Sequence, residues 1–256
     1  MSSGFYETDQ AVSEYLLFHY GSPEEILPYP FGPSDALDFP VRCVRDCLDL
    51  KRIPPQARAL DLGCAVGRAS FELARFCTEV IGIDCSHRFI EAAKVLQRHG
   101  SLAFQYVDEG SLMKSAAALV PLEIERDRVS FEQGDAQNLR PDIGRFDVLL
   151  AANLIDRLGD PRQCLIRFSG LVRAGGQLIL TSPYTWLKEF TPADNWLGGF
   201  DRDGQSVRTF DMLKQSLEPA FQFVSRNDLP FLIREHARKY QWGVGEASVW
   251  IRSNDL

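Results

Sequence analysis

The chain has 256 residues, of which 45% are hydrophobic and 25% charged, and its formal net charge is −7 at pH 7. This composition is typical of one large globular domain, or one domain with additions, and the acidic balance argues against a broad nucleic-acid-binding surface, which needs clustered Lys and Arg. No stretch approaches the roughly 18 to 20 apolar residues of a membrane helix. The first residues also lack the basic start of a secretory signal. We therefore expect a cytoplasmic protein without membrane or nucleic-acid partners.

Residues 1–52 are predicted to form a helical cap or lid over the rest of the chain. From residue 6 to about residue 20, apolar and aromatic side chains are spaced for one face of a helix. Residues 21–40 are rich in proline and glycine, which predicts an irregular loop. A second helix is predicted from Pro40, in its first turn, to about residue 51.

From residue 53 onward, short apolar runs alternate with helical patterns. The predicted strands are ARALDLG, EVIGIDC, RVSFEQGD, FDVLLAANL and GGQLILTSP. This alternation predicts a mostly parallel sheet with helices on both faces, and FQFVSRNDLPF and EASVWIRS predict an antiparallel pair at its edge. We therefore predict a seven-stranded α/β domain over residues 53–256. Residues 101 to about 127 are too many for a simple connection and are predicted to hold an added strand and helix.

The run ALDLGCAVGRASFELAR places a glycine turn between the first predicted strand and its helix. Such turns bind nucleotide-like cofactors, because backbone without a Cβ can approach the ligand closely. The dinucleotide pattern is G-x-G-x-x-G, whereas this chain has D-x-G-x-x-x-G, with Asp61, Gly63 and Gly67 at the fixed positions and Ala65 in the middle. A pyrophosphate needs a helix N-terminus, whereas an acid beside the turn suits the ammonium of S-adenosylmethionine. The spacing favours this methyl donor over NAD, which stays as an alternative.

Polar residues also follow the next three predicted strands. Asp84 ends the second strand, and its carboxylate could accept hydrogen bonds from ribose hydroxyls, although an acid here also fits NAD. After the third strand, Asp135 could accept from the adenine amino group, and the backbone of Ala136 could contact a ring nitrogen. Asn153 follows the fourth strand and would face the reactive end of the cofactor. Because the carboxyl ends of parallel strands meet at one edge, we expect these residues to form one site.

Over residues 58–183, these ordered motifs resemble the class I S-adenosylmethionine-dependent methyltransferases, which have a Rossmann-like fold. The resemblance implies that S-adenosylmethionine is the cofactor. Arg42, in FPVRC, is a further candidate for binding the methionine carboxylate. None of the six cysteines forms a C-x-x-C pair, so we expect no metal site. The predicted cofactor-binding residues are Arg42, Asp61, Gly63, Cys64, Ala65, Gly67, Asp84, Cys85, Asp135, Ala136 and Asn153.

A more specific resemblance covers nearly the whole chain. Five segments resemble the C-terminal methyltransferase region of the ovothiol biosynthetic enzymes: FYETDQAVSEYLLFHYG, LDFPVRC, NLIDRL, TSPYTWLKEFTPADNWLGGF and FLIREHARKYQWGVGEASVW. The resemblance implies N-methylation of 5-thiohistidine (4-mercaptohistidine) to ovothiol A, after an iron-dependent sulfoxide synthase has acted. The chain lacks the DinB-like and iron-synthase regions of the fused members, so we expect a free-standing enzyme or an excised domain. A non-catalytic S-adenosylmethionine-binding partner of a synthase and an NAD-binding oxidoreductase remain alternatives.

The predicted chemistry needs little proton transfer, because a neutral imidazole nitrogen already carries a lone pair. Asn153 and Asp156 are the predicted catalytic residues, since an oxygen beside the ring stabilises the cation that forms. The zwitterionic substrate needs an Arg for its carboxylate and an acid for its ammonium, for which Arg234 and Glu235 are predicted. The other predicted substrate-binding residues are Tyr6, Tyr15 and His19 in the lid, and Tyr184 and Trp186 after the fifth strand.

Overall fold

A computed structural model describes residues 4–218 and 220–254. The ends of the predicted cap, 1–52, and of the predicted domain, 53–256, therefore fall partly outside the described residues. The helices are α1 (Asp9–Tyr20), α2 (Pro23–Ile26), α3 (Phe39–Arg45), α4 (Arg68–Leu73), α5 (His87–His99), α6 (Pro161–Leu171) and α7 (Thr209–Leu217). The strands are β1 (Arg58–Leu62), β2 (Glu79–Asp84), β3 (Ser101–Glu109), β4 (Leu112–Leu119), β5 (Val129–Gln133), β6 (Phe146–Ala152), β7 (Val172–Ser182), β8 (Phe200–Arg202), β9 (Gln205–Val207), β10 (Phe221–His236) and β11 (Lys239–Arg252).

The central sheet has seven strands in the order β10-β11-β7-β6-β1-β2-β5. The middle strand, β1, pairs in parallel with β2 on one side and with β6 on the other. β10 and β11 form an antiparallel hairpin that joins the sheet through β7. The arrangement confirms the predicted α/β fold, with the carboxyl ends of β1, β2, β5 and β6 at one edge. The terminal hairpin is longer than predicted, at 16 residues for β10 and 14 for β11.

The two faces of the sheet bury separate hydrophobic clusters, because successive side chains of a strand point to opposite faces. In β1, Leu60 and Leu62 enter the cluster that contains Phe146, Phe168 and Trp250. Ala59 lies in the other cluster, which contains residues of α1, α3, α4 and α5. The cap and the sheet therefore share one core on that face.

The cap is divided into shorter elements than predicted. The first helix begins at Asp9 rather than at residue 6, because the Thr8 hydroxyl accepts a hydrogen bond from the Ala11 N–H and caps it. The loop predicted over residues 21–40 is also partly regular, since it contains α2. The second helix ends at Arg45 instead of continuing to about residue 51, and a separate 3₁₀ turn follows at Leu50–Arg52.

Hydrogen bonds near both ends of α1 attach the cap to the loops that follow β1 and β2. The Ser86 hydroxyl donates to the Tyr6 carbonyl oxygen at 2.8 Å, and the His87 N–H donates to the Glu7 carboxylate at 2.9 Å. The Tyr20 hydroxyl donates to the carbonyl oxygen of Val66, in the turn after β1, at 2.9 Å. The cap is thus fixed at both ends of α1 to the loops that follow β1 and β2.

The predicted insertion is a β-hairpin, β3 and β4, and not a strand with a helix. Gly110 occupies its turn with a φ of +57°, a backbone conformation that glycine adopts readily. Arg234 of β10 pairs with Asp108 of β3 at 3.0 Å, and its guanidinium lies 5.1 Å from the centre of the Tyr106 ring. These contacts hold the hairpin against the cap side of β10.

Gly67 provides a test of the packing behind the turn that follows β1. Its φ is +86°, and an added Cβ would lie 2.5 Å from the Phe131 ring. Gly110 also has a positive φ, but nothing lies within 4 Å of its added Cβ. We expect Gly110→Ala to lower the free energy of unfolding by about 1 kcal/mol through backbone strain alone, and Gly67→Ala to lower it by about 1 to 3 kcal/mol more through overpacking. Urea unfolding measures both; equal losses would show that Phe131 moves aside freely.

Candidate active site

The carboxyl ends of β1, β2, β5 and β6 open on a cavity of about 490 Å³, a size typical of small-molecule sites. The strand ends supply most of its polar groups, and the cap supplies an aromatic wall. The predicted site residues that line it are Tyr6, Tyr15, His19, Asp61, Gly63, Cys64, Ala65, Asp84, Cys85, Asp135, Ala136 and Asn153. The residues predicted from four separate strand ends therefore come together.

The turn after β1 is held in a left-handed conformation at three positions, with φ of +74° at Gly63, +47° at Ala65 and +86° at Gly67. The N–H groups of Gly63 and Cys64 both donate to the Ile83 carbonyl oxygen of β2. An added Cβ at Gly63 would lie 3.0 Å from the Leu154 side chain. The turn is thus packed tightly between β2 and the loop after β6.

Asp84 joins the two loops that follow β1 and β2. One carboxylate oxygen accepts from the Ala65 N–H at 2.9 Å, and the other accepts from the Ser86 N–H at 2.8 Å. Burial raises the pKa of Asp84, and the two backbone donors oppose that rise. Each oxygen retains a lone pair, so the carboxylate can accept from a ligand that enters the cavity.

Asp61 lies beneath the turn and is almost completely buried. Its carboxylate accepts a hydrogen bond from the Ser70 hydroxyl at 2.6 Å. Burial raises the pKa of Asp61 to about 7, the Ser70 bond lowers it, and the nearby Asp84 charge adds to the rise. A positive group in the cavity would favour the ionised form of this carboxyl.

The ends of β5 and β6 contribute the opposite part of the floor. The Asp135 carboxylate accepts from the Gln137 N–H at 2.8 Å, which orders the loop after β5. Asn153 has a φ of +51°, its N–H donates to the Thr181 carbonyl oxygen, and its side-chain oxygen accepts from the Thr181 hydroxyl at 2.9 Å. The Asn153 side chain is therefore held in one orientation at the cavity.

The aromatic wall consists of rings from the cap packed on the first turn of α5. Tyr15 lies 4.7 Å from Phe89 and 5.8 Å from His19, measured between ring centres, and Tyr6 lies 6.0 Å from Tyr15. The His19 Nδ1 atom is buried without a hydrogen-bond partner among the described residues. Burial, with a smaller contribution from the Arg68 charge, lowers the pKa of His19 to about 3, so its imidazole is neutral near pH 7.

Two residues predicted to bind the cofactor do not line the cavity. The Arg42 guanidinium is almost buried, donates to the carbonyl oxygens of Leu37 and Pro230, and pairs with Asp46 at 3.5 Å. It ties α3 to β10 and has no access to the methionine end of a ligand. Gly67 faces the Phe131 ring instead, so its role is to let α4 approach β5.

The substrate-binding residues predicted near the last two strands, Arg234 and Glu235, do not line the cavity either. β10 continues beyond its predicted end, so that Arg234 pairs opposite Tyr240 within the hairpin and is not in a free loop. The Arg234 side chain is buried against Asp108 and does not line the cavity, although its neighbour Ile233 does. The Glu235 carboxylate pairs with Lys239 at 2.6 Å. The Arg234 side chain therefore joins β10 to β3, and Glu235 pairs within the β10–β11 hairpin, so neither charge faces the cavity.

The loop after β7 packs differently from the prediction as well. The Tyr184 hydroxyl donates to Glu246 at 2.6 Å, and the Trp186 indole N–H donates to the Thr209 hydroxyl at 3.0 Å, so neither ring reaches the cavity. Asp156 is fully buried outside the cavity and accepts from the Ser182 hydroxyl at 3.0 Å and the Thr185 N–H at 3.1 Å. Asp156 therefore does not line the cavity, and its predicted contact with the substrate ring stays a prediction.

Arg157 and Phe190 line the cavity and were missing from the predicted site residues. The Arg157 guanidinium lies 4.9 Å from the centre of the Phe190 ring, and that ring lies 6.1 Å from Tyr6. The available signals were the position of Arg157 directly after the singled-out Asp156 and the position of Phe190 in the aromatic-rich segment TSPYTWLKEFTPADNWLGGF. Sequence alone does not reveal which of two adjacent charged residues points inward.

The profile of a family described as "Methyltransferase domain" matches residues 60–180, which include β1, the glycine turn and the ends of β2, β5 and β6. The chain therefore contains a methyltransferase domain. Curated relatives include the ubiquinone biosynthesis O-methyltransferase of Cereibacter sphaeroides, which is 28% identical over 49% of this chain and 40% of the relative. The enzyme of the same name from Azorhizobium caulinodans is 27% identical over 53% of this chain and 44% of the relative. The chain spans less than half the length of these relatives.

Two solved structures show the same fold as this methyltransferase domain and its flanking strands. YcgJ of Bacillus subtilis is 18% identical, with a TM-score of 0.50 over 80% of this chain and 97% of that one. A structure concerned with conversion of a disulfide bond into a thioacetal group during echinomycin biosynthesis is also 18% identical. Its TM-score is 0.50, and the match covers 77% of this chain and 76% of that one. These likenesses support the fold.

S-adenosylmethionine is the cofactor of the methyltransferase domain, in agreement with the sequence prediction. The cavity fits it chemically: the acids Asp61, Asp84 and Asp135 can meet its ammonium, ribose and adenine donors, and the turn at Gly63 leaves backbone accessible.

Across residues 4–218 and 220–254, no group of three or more His, Cys, Asp or Glu side chains could hold a metal ion. No helix within the same described ranges is long and apolar enough to cross a bilayer.

The raised pKa of Asp61 predicts a pH dependence of stability. In the unfolded chain this carboxyl ionises near 3.8, whereas the folded state keeps its proton up to about pH 7. Unfolding therefore releases a proton between these two pH values. The free energy of unfolding decreases as pH rises through this window, with a slope on the order of 1 kcal/mol per pH unit. We expect Asp61→Asn to gain stability relative to the wild type between pH 4 and 7, as measured by urea unfolding. Parallel stability curves for the two proteins would contradict this assignment.

Proposed function

We propose that the protein transfers the methyl group of S-adenosylmethionine to an imidazole nitrogen of 5-thiohistidine, giving ovothiol A. The observation that carries the proposal is where the five ovothiol-like segments lie. Each of them contributes at least one residue to the same cavity, although they are far apart in sequence. Representative lining residues of the five are Tyr15, Phe39, Asn153, Phe190 and Ile233.

In this proposal the strand ends hold the cofactor. Asp84 accepts from the ribose hydroxyls, and the loop at Asp135 and Ala136 receives the adenine. The turn from Gly63 to Ala65, which includes Cys64 and lies above Asp61, would receive the methionine ammonium, and Cys85 would line the same site. Bound in this way, S-adenosylmethionine supplies an electrophilic methyl group on its sulfonium.

The residues around the substrate then act by positioning and by excluding water. The cap rings Tyr6 and Tyr15 cover the cavity and can stack against an imidazole. Asn153, fixed by Thr181, presents an oriented amide dipole beside the ring that becomes cationic. Phe190 closes the same side of the cavity next to Tyr6.

The electrostatics of the cavity are compatible with a nucleophile that needs no deprotonation. The curated relatives are named for O-methylation, and removing a hydroxyl proton requires a base with a pKa near the working pH. The His19 imidazole, with its pKa lowered to about 3, is too weak a base, whereas the Asp61 carboxyl, with its pKa raised to about 7, is buried under the turn and bonded to the Ser70 hydroxyl. A neutral imidazole nitrogen needs neither residue.

Incubation of the purified protein with S-adenosylmethionine and 5-thiohistidine tests the proposal. Mass spectrometry should show a singly methylated product with the methyl group on a ring nitrogen, and a catechol should remain unmethylated under the same conditions. Turnover of the catechol alone would favour an O-methyltransferase. Cofactor binding with no turnover of either compound would favour the non-catalytic partner of a sulfoxide synthase.

Asp84 provides a test of the cofactor position. We expect Asp84→Ala to weaken binding of S-adenosylhomocysteine by roughly 1.5 to 3 kcal/mol, or about 10- to 150-fold in Kd, because hydrogen bonds to a charged acceptor are lost. Asp142→Ala removes an exposed acid outside the cavity that pairs with Arg140 and serves as the matched control. Calorimetry measures both variants, and an unchanged Kd for Asp84→Ala would place the cofactor elsewhere.

A further inference from the structure

We propose that Arg157 binds the carboxylate of the amino-acid substrate and that Asp156 positions the guanidinium for this purpose. The inference rests on the proposed function for the nature of the substrate. It replaces the sequence-based assignment of this role to Arg234, which the hairpin buries.

The guanidinium of Arg157 is held by one of its nitrogens. Nη1 donates to the Asp156 carbonyl oxygen at 3.0 Å, to the Asp156 carboxylate at 2.9 Å and to the Thr185 carbonyl oxygen at 3.0 Å. Among the described residues, every hydrogen bond recorded for Arg157 uses Nη1. The edge formed by Nε and Nη2 is left for a ligand, and this edge matches a carboxylate in a two-point contact.

The anchor of this guanidinium is rigid. The buried Asp156 carboxylate accepts from the Ser182 hydroxyl and the Thr185 N–H, so its position is set by the end of β7 and the loop that follows. Phe190 lies against the guanidinium and lines the cavity beside it. An arginine oriented before the ligand arrives loses less side-chain freedom on binding, which favours affinity and correct placement.

The charges around the cavity also single out Arg157. Within the described part of the chain, it is the only Lys or Arg that lines the cavity. The acids Asp61, Asp84 and Asp135 line it as well, and His19 is neutral. A carboxylate that enters this acidic space is attracted to Arg157 alone, whereas the substrate ammonium can be met by the acids.

The experiment compares 5-thiohistidine with its decarboxylated analogue, 5-thiohistamine, by calorimetric binding to the full chain saturated with S-adenosylhomocysteine. We expect Arg157→Gln to raise the Kd of thiohistidine by roughly 10- to 100-fold and to leave the Kd of thiohistamine within about 2-fold. Arg98→Gln removes one positive charge from the exposed end of α5 and should change neither value. Arg157→Lys keeps the charge but not the two-point contact and should fall between.

The positioning role of Asp156 predicts the same selectivity. Asp156→Asn should weaken thiohistidine binding less than Arg157→Gln does and should leave thiohistamine binding unchanged, a pattern that general loss of structure would not produce. Thermal unfolding of each variant checks that it is folded at the assay temperature.

Several outcomes would overturn the inference. An unchanged thiohistidine Kd in folded Arg157→Gln would do so, as would equal losses for both compounds. A raised Kd for S-adenosylhomocysteine itself would assign Arg157 to the cofactor carboxylate instead. If the wild type binds thiohistidine with the predicted selectivity but does not methylate it, the proposed function fails while the carboxylate site stands.

Discussion

The site depends on the carboxylate of Asp84, which accepts from Ala65 on one side and Ser86 on the other. The parallel pairing of β1 with β2 brings these loops together, because it aligns Leu62 with Ile83 and ends both strands at the same edge. A single partly buried acid thus fixes the glycine turn and the start of α5 relative to each other. The cap then attaches to both loops, through Tyr20 at the turn and Tyr6 at Ser86, so the cavity wall follows from the same constraint.

The cavity combines a polar floor with an apolar cover, and each part has its own structural origin. The floor is made where strands end and their loops turn, which leaves backbone and carboxylate groups exposed to a ligand. The cover is made by the cap, whose apolar residues share a core with α4 and α5. In the proposed function, substrate selection falls to the residues between them, Asn153, Arg157 and Phe190. Asn153 and Arg157 are held by buried partners at Thr181 and Asp156, and Phe190 packs on the Arg157 guanidinium.

Sequence reasoning predicted the sheet, its antiparallel edge and the residues at the ends of β1, β2, β5 and β6, because strand alternation and turn chemistry are local signals. It failed where a residue's role depends on register or on distant partners. Arg42 and Arg234 look like ligand-binding arginines in sequence, but both bond to groups far along the chain, such as Pro230 and Asp108. The hairpin at β3 and β4 was missed because its alternation is weak, with small residues in KSAAAL. The division into a cap, 1–52, and a domain, 53–256, stays a prediction.

The central claim is that this cavity places an amino-acid imidazole beside the methyl group of S-adenosylmethionine. A crystal structure of the full chain with S-adenosylhomocysteine and 5-thiohistidine tests it most directly. The account predicts the nucleoside next to Asp84 and Asp135, with the imidazole between Asn153 and the rings of Tyr6 and Tyr15. A nucleoside bound outside this cavity, or an imidazole bound away from the cofactor sulfur, would contradict it.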